Sequence, residues 1–200
     1  MIRFLFKFIL CLVLALLAGA AILATRGGDV TYRVHEWLSP ARFHQYDDII
    51  REVAAKDGVD PMLVKALVWR ESRFEPGKLG TAGERGLMQV SELAAREWAS
   101  ETHARGFQVA QLFDPKTNLE AGTWYLRRAL QHWQRQKAPA AFALAEYNAG
   151  PSRAQRWANN NPDTPMTVQD FQNRINFPGT RQYVISVLQR YDFYRHRGRM

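Results

Sequence analysis

Apolar residues recur at intervals of three and four along most of this 200-residue chain, the spacing of one face of an α-helix. Asp60-Pro61 predicts a helix start, because aspartate is a favoured N-cap and proline fits the first helical position. No stretch alternates as a half-buried strand does, and four glycines in residues 73–90 predict a long ordered loop. The sequence therefore predicts an all-α domain. Further helices are expected along the stripe Ile49, Ile50, Val53 and Ala54 that Gly58 ends, after Ser91 as far as Trp98, from Asn118 through Leu126 to Trp133, from Pro139 to Gly150, after Thr167, and across Val184, Val187 and Tyr191.

The N-terminus differs from the rest. Arg3 and Lys7 precede residues 8–24, which carry no charge, and Arg26 follows them. A basic start and an apolar run are typical of an export signal, although seventeen apolar residues also reach the lower limit for a spanning helix. We predict that residues 1–24 are a signal peptide or an inner-membrane anchor, both of which place the remainder in the periplasm. Residues 25–44 are predicted to be a linker, residues 45–195 the folded domain, and residues 196–200 a basic tail.

Cys11 is the only cysteine and lies in that apolar segment. The predicted domain therefore has no disulfide, no thiol nucleophile and no cysteine metal site. Without Arg3 and Lys7 the chain keeps 25 basic and 19 acidic residues, a formal charge of +6. This charge suits an anionic wall polymer or a membrane surface, or serves solubility alone. The predicted compartment disfavours nucleic acid, and we predict no metal and no cofactor.

Glu71 shares a predicted helical face with Val64, Leu67 and Val68, since these positions follow the i, i+3, i+4, i+7 rule. That face is expected to point at the core. Burial would raise the pKa of the carboxyl group, and a carboxylic acid that stays protonated near neutral pH can act as a general acid. On spacing alone, an exposed or ion-paired glutamate at a helix end is the commoner case.

Two further segments carry uncharged amides beside glycine. Gly86-Leu87-Met88-Gln89 follows the glycine-rich loop, and Ala145-Glu146-Tyr147-Asn148-Ala149-Gly150 ends an otherwise apolar helix. Amides both donate and accept hydrogen bonds, and glycine lets backbone approach a ligand closely, which suits a sugar polymer with acetamido groups. The structural alternatives are ordinary turns and a helix C-cap.

Taken in order, these segments resemble the soluble lytic transglycosylase catalytic domain, from Tyr46 to Tyr191. The interval of 18 positions from Glu71 to Gln89 is the family's own. The segments that carry the resemblance are Glu71-Ser72-Arg73-Phe74-Glu75-Pro76 with Gly83 and Gly86-Leu87-Met88-Gln89, Asp114-Pro115 with Asn118, Ala121-Gly122 and Tyr125-Leu126, Ala145-Glu146-Tyr147-Asn148-Ala149-Gly150, and Thr180-Arg181-Gln182-Tyr183-Val184.

The resemblance implies an all-α, lysozyme-like fold of the goose type with a substrate groove. It implies that residues 45–195 cleave peptidoglycan between N-acetylmuramic acid and N-acetylglucosamine without water, leaving 1,6-anhydromuramic ends. Glu71 is then the single acid and base, and Tyr183 is expected to lie beside it, with a core aromatic as the alternative. The implied substrate-binding residues are Ser72, Met88, Gln89, Tyr147 and Asn148, with Met88 packing against the last three and with a cap or support of the loop as the alternative for Ser72.

Two positions depart from the family pattern. A serine is usual nine residues after the glutamate, where this chain has Gly80, and a glutamate usually precedes Thr180, where it has Gly179. We expect altered binding around an intact acid, with Lys78 or Thr81 supplying a polar group in place of the serine. Two other functions stay open: a muramidase that uses water, and a wall-binding module with weak or no turnover.

Overall fold

The structure, a computed structural model, describes residues 7–9, 11–15, 19, 39–159, 161 and 163–197. The chain divides into two units, residues 1–43 and His44–Met200. In the first unit residues 7–9 and 11–15 are helical and exposed. Most of the predicted signal or anchor, residues 25–38 of the predicted linker and residues 198–200 of the predicted tail lie outside the described residues. Within the described part of the chain, no helix has the length and apolarity needed to cross a bilayer.

The described residues form a series of α-helices with one 3₁₀ helix between them. The last five residues of the predicted linker are helical, and the last helix includes the first two residues of the predicted tail. The helices are α1 (Pro40–His44), α2 (Asp47–Asp57), α3 (Pro61–Ser72), α4 (Glu92–Glu101), the 3₁₀ helix (Val109–Phe113), α5 (Pro115–His132), α6 (Pro139–Ala149), α7 (Pro151–Trp157), α8 (Val168–Arg174) and α9 (Pro178–Arg197).

Two helices form the centre of the domain. In α3 every residue from 63 to 69 is buried, and in α6 every residue from 141 to 146 is buried. A helix that is buried all round must be covered by others: α2 and α9 pack on α3, while α5, α7 and α9 pack on α6. Lys65, fully buried in α3, is held by an ion pair of 2.6 Å between its Nζ and Oδ1 of Asp47 in α2.

Most predicted helix boundaries agree with the structure. The Asp60 side chain accepts a hydrogen bond of 2.8 Å from the Met62 amide at the start of α3, and Gly58 ends α2 in a left-handed conformation with φ of 65°. Helix α6 begins at Pro139 and ends at Ala149, as predicted. Helix α4 is capped by Ser91 as predicted, but it continues past Trp98 to Glu101.

The predicted start of α5 at Asn118 is wrong. The helix begins at Pro115, because the Asp114 side chain caps it by accepting a 2.8 Å hydrogen bond from the Thr117 amide. Asn118 is fully buried and its side chain holds the preceding loop. Its Oδ1 accepts from the Met88 amide at 2.7 Å, and its Nδ2 donates to the Arg85 and Leu112 carbonyls at 2.7 and 2.8 Å.

The predicted loop between α3 and α4 is ordered by short-range pairing. Arg85 makes isolated antiparallel bridges with Leu79 and with Val90, and these are the isolated bridges within the described ranges. Gly86 has φ of 77°, and a Cβ there would lie 2.3 Å from Asn118 Nδ2. Only glycine therefore allows the loop to pack this closely against the start of α5.

Candidate active site

A groove of about 540 Å³ runs between three helices, α3, α5 and α6, and the loop that follows α3. One side, here called the helical wall, is formed by Glu71, Tyr125, Tyr147 and Asn148 of α3, α5 and α6. The other side, here called the loop wall, is formed by residues 78–91. Residues from both walls face the same cavity. The loop-wall residues that line it are Lys78, Leu79, Gly80, Thr81, Glu84, Gln89, Val90 and Ser91, with Ala94 of α4 beside them.

Glu71 ends the buried helix α3, and its carboxyl group receives a hydrogen bond from α9. The Tyr183 hydroxyl donates to Glu71 Oε1, and the Tyr183 ring is buried. The Arg70 guanidinium lies 5.2 Å from the centre of that ring, and its Nε donates to Ser186 Oγ at 3.2 Å. The Lys78 amine donates to the main-chain carbonyl of Glu71. The carboxyl group is thus held by α9, and the main chain of Glu71 is held by the loop wall.

Burial raises the pKa of Glu71 from its ordinary value of 4.5 to about 7. The Tyr183 hydrogen bond and the positive charges of Arg70 and Lys78 oppose this rise, and the negative charge of Glu84 adds to it. Burial also raises the pKa of Tyr183 well above its ordinary value, so its hydroxyl remains a donor. Near neutral pH the Glu71 carboxyl group therefore exists in both protonation states, as a group that gives and takes a proton requires.

The backbone immediately after Glu71 is strained. Arg73 and Phe74 both lie in the left-handed region, with φ of 55° and 62°, although neither is glycine. Such conformations persist where the surrounding contacts determine them. Phe74 is buried, and Arg73 Nη1 donates to the Trp69 carbonyl at 2.8 Å. These contacts fix the turn that carries the chain from the acid into the loop wall.

Tyr147 and Asn148, both predicted site residues, lie at the end of α6 and line the groove. The Tyr147 hydroxyl donates to the Met88 carbonyl at 2.9 Å, which joins the helical wall to the loop wall. Its ring meets Tyr125 edge to face at 5.5 Å. The Asn148 side chain is exposed, and its Oδ1 accepts from Thr180 Oγ1 at 2.7 Å. Because that oxygen is engaged, the amide NH₂ is what Asn148 can offer to a ligand.

Gln89 also lines the groove, and its amide has a defined orientation. Nε2 donates to the Lys78 carbonyl at 3.1 Å and to the Gly86 carbonyl at 2.9 Å. Two carbonyl partners require the nitrogen at this position, so Oε1 is the atom on the other side. Gln89 therefore presents an acceptor.

Two of the predicted substrate-binding residues do not reach the groove, and this corrects the sequence analysis. The Ser72 side chain is buried, and its hydroxyl donates to the Val68 carbonyl at 3.2 Å in its own helix. The Met88 side chain is fully buried against α5, where its Sδ would lie 2.5 Å from a Cβ at Gly122. Met88 contributes through its carbonyl, which supports Tyr147, and not through direct contact with a ligand.

The two glycines that depart from the family pattern differ from each other. A Cβ at Gly179 would meet nothing within 4 Å, so the space there is open. A Cβ at Gly80 would lie 2.3 Å from Glu84 Oε2 and 2.9 Å from Gln89 Oε1. Lys78 and Thr81, which were expected to supply a polar group in place of the serine, both line the groove, and the Glu84 carboxylate lies nearest to the position of the missing side chain.

Sequence reasoning missed Glu84 and Tyr125 as groove residues. Tyr125 lies in a segment that carries the family resemblance, and that was the signal which could have identified it. Glu84 had a weaker signal. Removing a side chain at position 80 of a tight turn leaves space for the next long side chain in that turn, and Glu84 is the first one after it.

A family model described as the Transglycosylase SLT domain matches residues 48–168. The soluble lytic murein transglycosylase of Escherichia coli K12 is 30% identical over 152 residues, 76% of this chain and 23% of that protein. The crystal structure of the E. coli 70-kDa soluble lytic transglycosylase matches with 29% identity and a TM-score of 0.68, over 76% of this chain and 24% of that one. A complex of the 70-kDa soluble lytic transglycosylase with bulgecin A matches with 27% identity and a TM-score of 0.73, over 84% and 27%.

The chain belongs to the Transglycosylase SLT domain family. Its predicted all-α, lysozyme-like fold is confirmed by these structural neighbours. The chain spans about a quarter of the length of the relatives that it matches.

Proposed function

We propose that this domain is a peptidoglycan lytic transglycosylase, which cleaves the β-1,4 bond between N-acetylmuramic acid and N-acetylglucosamine and leaves a 1,6-anhydromuramic end. The observation that carries the proposal is the Glu71 carboxyl group, with its pKa raised by burial to about 7 and Tyr183 donating to it, at the edge of a groove. Such a group can donate a proton and then remove one in the same pH range. The names of the relatives describe the same activity.

In the first step the protonated Glu71 gives its proton to the glycosidic oxygen as the bond from that oxygen to muramic C1 breaks. The acetamido oxygen of the muramic residue stabilises the positive charge that develops at C1. In the second step the Glu71 carboxylate takes the proton of the muramic 6-hydroxyl, and that oxygen forms the new bond to C1. Glu71 ends protonated and no water is consumed, so a single carboxyl group serves both steps.

The residues around Glu71 have chemistry that fits this cycle. When Glu71 is a carboxylate, the Tyr183 hydroxyl stabilises it by hydrogen bonding, which keeps the group available as a base. The amide NH₂ of Asn148 and the oxygen of Gln89 offer a donor and an acceptor to the acetamido and hydroxyl groups of a sugar. Tyr125 and Tyr147 add aromatic surface to the same side of the groove.

Product analysis separates this proposal from hydrolysis. The second carboxylate in the groove, Glu84, is the observation that favours a muramidase, since a carboxylate can activate water. Purified peptidoglycan is digested with the full chain and the fragments are weighed by mass spectrometry. We expect anhydro products, each lighter by one water than the hydrolytic product. Reducing ends alone would show a muramidase.

A matched pair of variants tests whether the chain catalyses at all. Glu71→Gln removes the proton donor and should lower product release by about a hundredfold or more. Glu101→Gln makes the same chemical change at an exposed position at the end of α4 and should leave release unchanged. Equal traces from wild type and Glu71→Gln would identify a wall-binding module without turnover.

We further infer that residues 1–24 direct the chain to the periplasm, as a cleaved signal or as an inner-membrane anchor, and that residues 45–195 act there on glycan strands. The uncharged run over residues 8–24 and the basic residues before it support this inference. Intact mass and membrane fractionation of the expressed chain distinguish the two forms. A full-length chain found in the cytoplasmic fraction would contradict both.

A further inference from the structure

The space above Gly80 brings two acceptors together. Glu84 Oε2 and Gln89 Oε1 both lie within 2.9 Å of the point that a Cβ at position 80 would occupy. Each side chain is oriented by other hydrogen bonds. Glu84 Oε2 accepts from the Ala82 amide at 3.1 Å, and Gln89 Nε2 donates to the carbonyls of Lys78 and Gly86. The turn itself is closed by a 2.7 Å hydrogen bond from the Gly80 amide to the Glu84 carbonyl. Both acceptors are thus oriented by hydrogen bonds within the loop.

Both side chains face the groove that holds Glu71. An acceptor pair with a negative charge attracts a group that donates hydrogen bonds and repels an anion. A glycan offers such donors as hydroxyl groups and as the N–H of an acetamido group. Hydrogen bonds to a charged acceptor are stronger than those between neutral groups, so Glu84 is the stronger member of the pair.

We propose that Glu84 and Gln89 form a paired acceptor above Gly80 that binds a hydroxyl or amide N–H of the glycan next to Glu71, so that Glu84 determines specificity in this site. This inference rests on the proposed function, because it names the glycan as the ligand. Gly80 is part of the arrangement, since any side chain at that position would displace the Glu84 carboxylate.

The charge of Glu84 has a second consequence, which supplies an independent readout. The groups that shift the pKa of Glu71 are Arg70 of its own helix, Lys78 and Glu84 of the loop wall, and Tyr183 of α9. The charge of Glu71 in turn raises the pKa of Tyr147 on α6. Of the groups that act on Glu71, Glu84 is the one whose negative charge raises its pKa. Removing that charge should lower the Glu71 pKa, and the pH at which activity is lost on the alkaline side should fall with it.

The test compares Glu84→Gln with Glu101→Gln on soluble glycan strands released from peptidoglycan. We expect Glu84→Gln to raise KM about tenfold, with a smaller change in kcat, and to move the alkaline limb of kcat/KM to lower pH. Glu101→Gln, an equal loss of charge at an exposed site, should change neither. A thermal scan of each variant shows whether folding is intact.

A role in bracing the loop alone predicts a different result: Glu84→Gln would lower Tm through its bond to Ala82 while KM and the pH limb stayed at the wild-type values. That outcome would overturn the inference. It would leave the proposed function standing, because that function depends on the anhydro product and its loss in Glu71→Gln. Conversely, absence of the anhydro product from wild type would contradict the proposed function whatever the Glu84 variants do.

A second variant moves the carboxylate without removing it. Gly80→Ser places a Cβ where Glu84 Oε2 lies, so it should raise KM in the wild-type background by about the same factor as Glu84→Ala. In the Glu84→Ala background the contact with Oε2 is gone and only the weaker contact with Gln89 Oε1 at 2.9 Å remains, so the further effect of Gly80→Ser should be less than about twofold. Independent, multiplying effects of the two substitutions would show that the glycine and the carboxylate do not share one site.

Discussion

The two walls of the groove are built in different ways. On the helical wall, Glu71 of α3 is held by Tyr183 of α9, which lies behind the wall and is 112 positions away in sequence. They meet because both helices pack into the centre of the domain, where α3 is buried all round. The loop wall is shaped by hydrogen bonds between near neighbours, such as Gly80 with Glu84 and Gln89 with Gly86, and Asn118 and Tyr147 attach it to α5 and α6. The position of the acid is therefore set by helix packing, whereas the surface opposite it takes its shape from one turn that the core anchors.

The comparison predicts unequal costs for removing a leucine from each wall. Leu67 is fully buried in α3, while Leu79 of the loop wall is 62% exposed. Leu67→Ala should lower the free energy of unfolding by about 3 kcal/mol, through lost burial and the cavity left behind. Leu79→Ala should change it by less than about 0.5 kcal/mol. Urea denaturation of both variants measures the difference, and equal losses would contradict the proposed division.

Glu71 itself should weaken the fold as pH rises. Its pKa is about 7 in the folded protein and near 4.5 when unfolded, so between these values the folded state keeps a proton that the unfolded chain has released. The stability that this group contributes is therefore complete below pH 4.5 and is lost as pH rises to 7, by up to about 3 kcal/mol.

Glu71→Gln removes this titration. We expect the stability of the variant, relative to wild type, to increase from pH 4.5 to 7 and then stay constant. Thermal unfolding across that pH range makes the measurement, with Glu101→Gln as the control for charge. A constant difference at all pH values would mean that Glu71 titrates normally in the folded protein.

The loop wall depends on the core through Asn118. Asn118→Ala would leave the Met88 amide and two carbonyls without their partner, and should cost about 2 kcal/mol of stability. It should also lower activity about tenfold, because the loop that carries Gln89 and Glu84 loses its attachment to α5. Asn173→Ala, at an exposed position on α8, serves as the control. Loss of stability with full activity would show that the loop wall keeps its shape without this anchor.

The smallest expected effect is a shift in pH dependence. The Tyr183 hydrogen bond lowers the pKa of Glu71, so Tyr183→Phe should raise that pKa and move the alkaline limb of activity upward by about one pH unit or less. This direction is opposite to the one expected for Glu84→Gln on the other wall. Tyr191→Phe is the matched control, since the Tyr191 hydroxyl, also on α9, bonds Asp60 instead. A shift in the same direction for both walls would contradict the electrostatic account of the groove.

The helical framework could be predicted from the sequence because its signals are local. Asp60-Pro61, Gly58 and Pro139 mark helix ends through backbone chemistry that operates within a few residues. Asn118 misled the prediction because the stronger signal, Asp114-Pro115, stands four residues earlier. The Asn118 side chain instead accepts a hydrogen bond from the distant Met88 amide, and a local sequence pattern does not predict a contact across 30 positions.

The site residues likewise divide into those that the sequence could identify and those that it could not. The spacing predicted that Glu71 lies on an apolar face of its helix. Because α3 is buried on every side, that face does not distinguish Glu71 from the other residues of α3. Glu71 reaches the groove because it lies in the last turn of the helix. The resemblance supplied Tyr183 and the residues of the third segment. The resemblance could not identify Glu84, because this residue fills a space that exists only where glycine replaces the family's usual serine. Which side chain fills such a space is seen only in the three-dimensional structure.

The separation of near and distant contacts affects how such a groove can change over time. The contact between residues 71 and 183 depends on the packing of the helices, so substitutions that disturb this packing also disturb the acid. The turn from Gly80 to Glu84 is closed by its own hydrogen bond, so its few residues can be substituted together while Glu71 keeps its position. In this architecture new substrate preferences can therefore arise in a few adjacent codons while the contact between Glu71 and Tyr183 is kept.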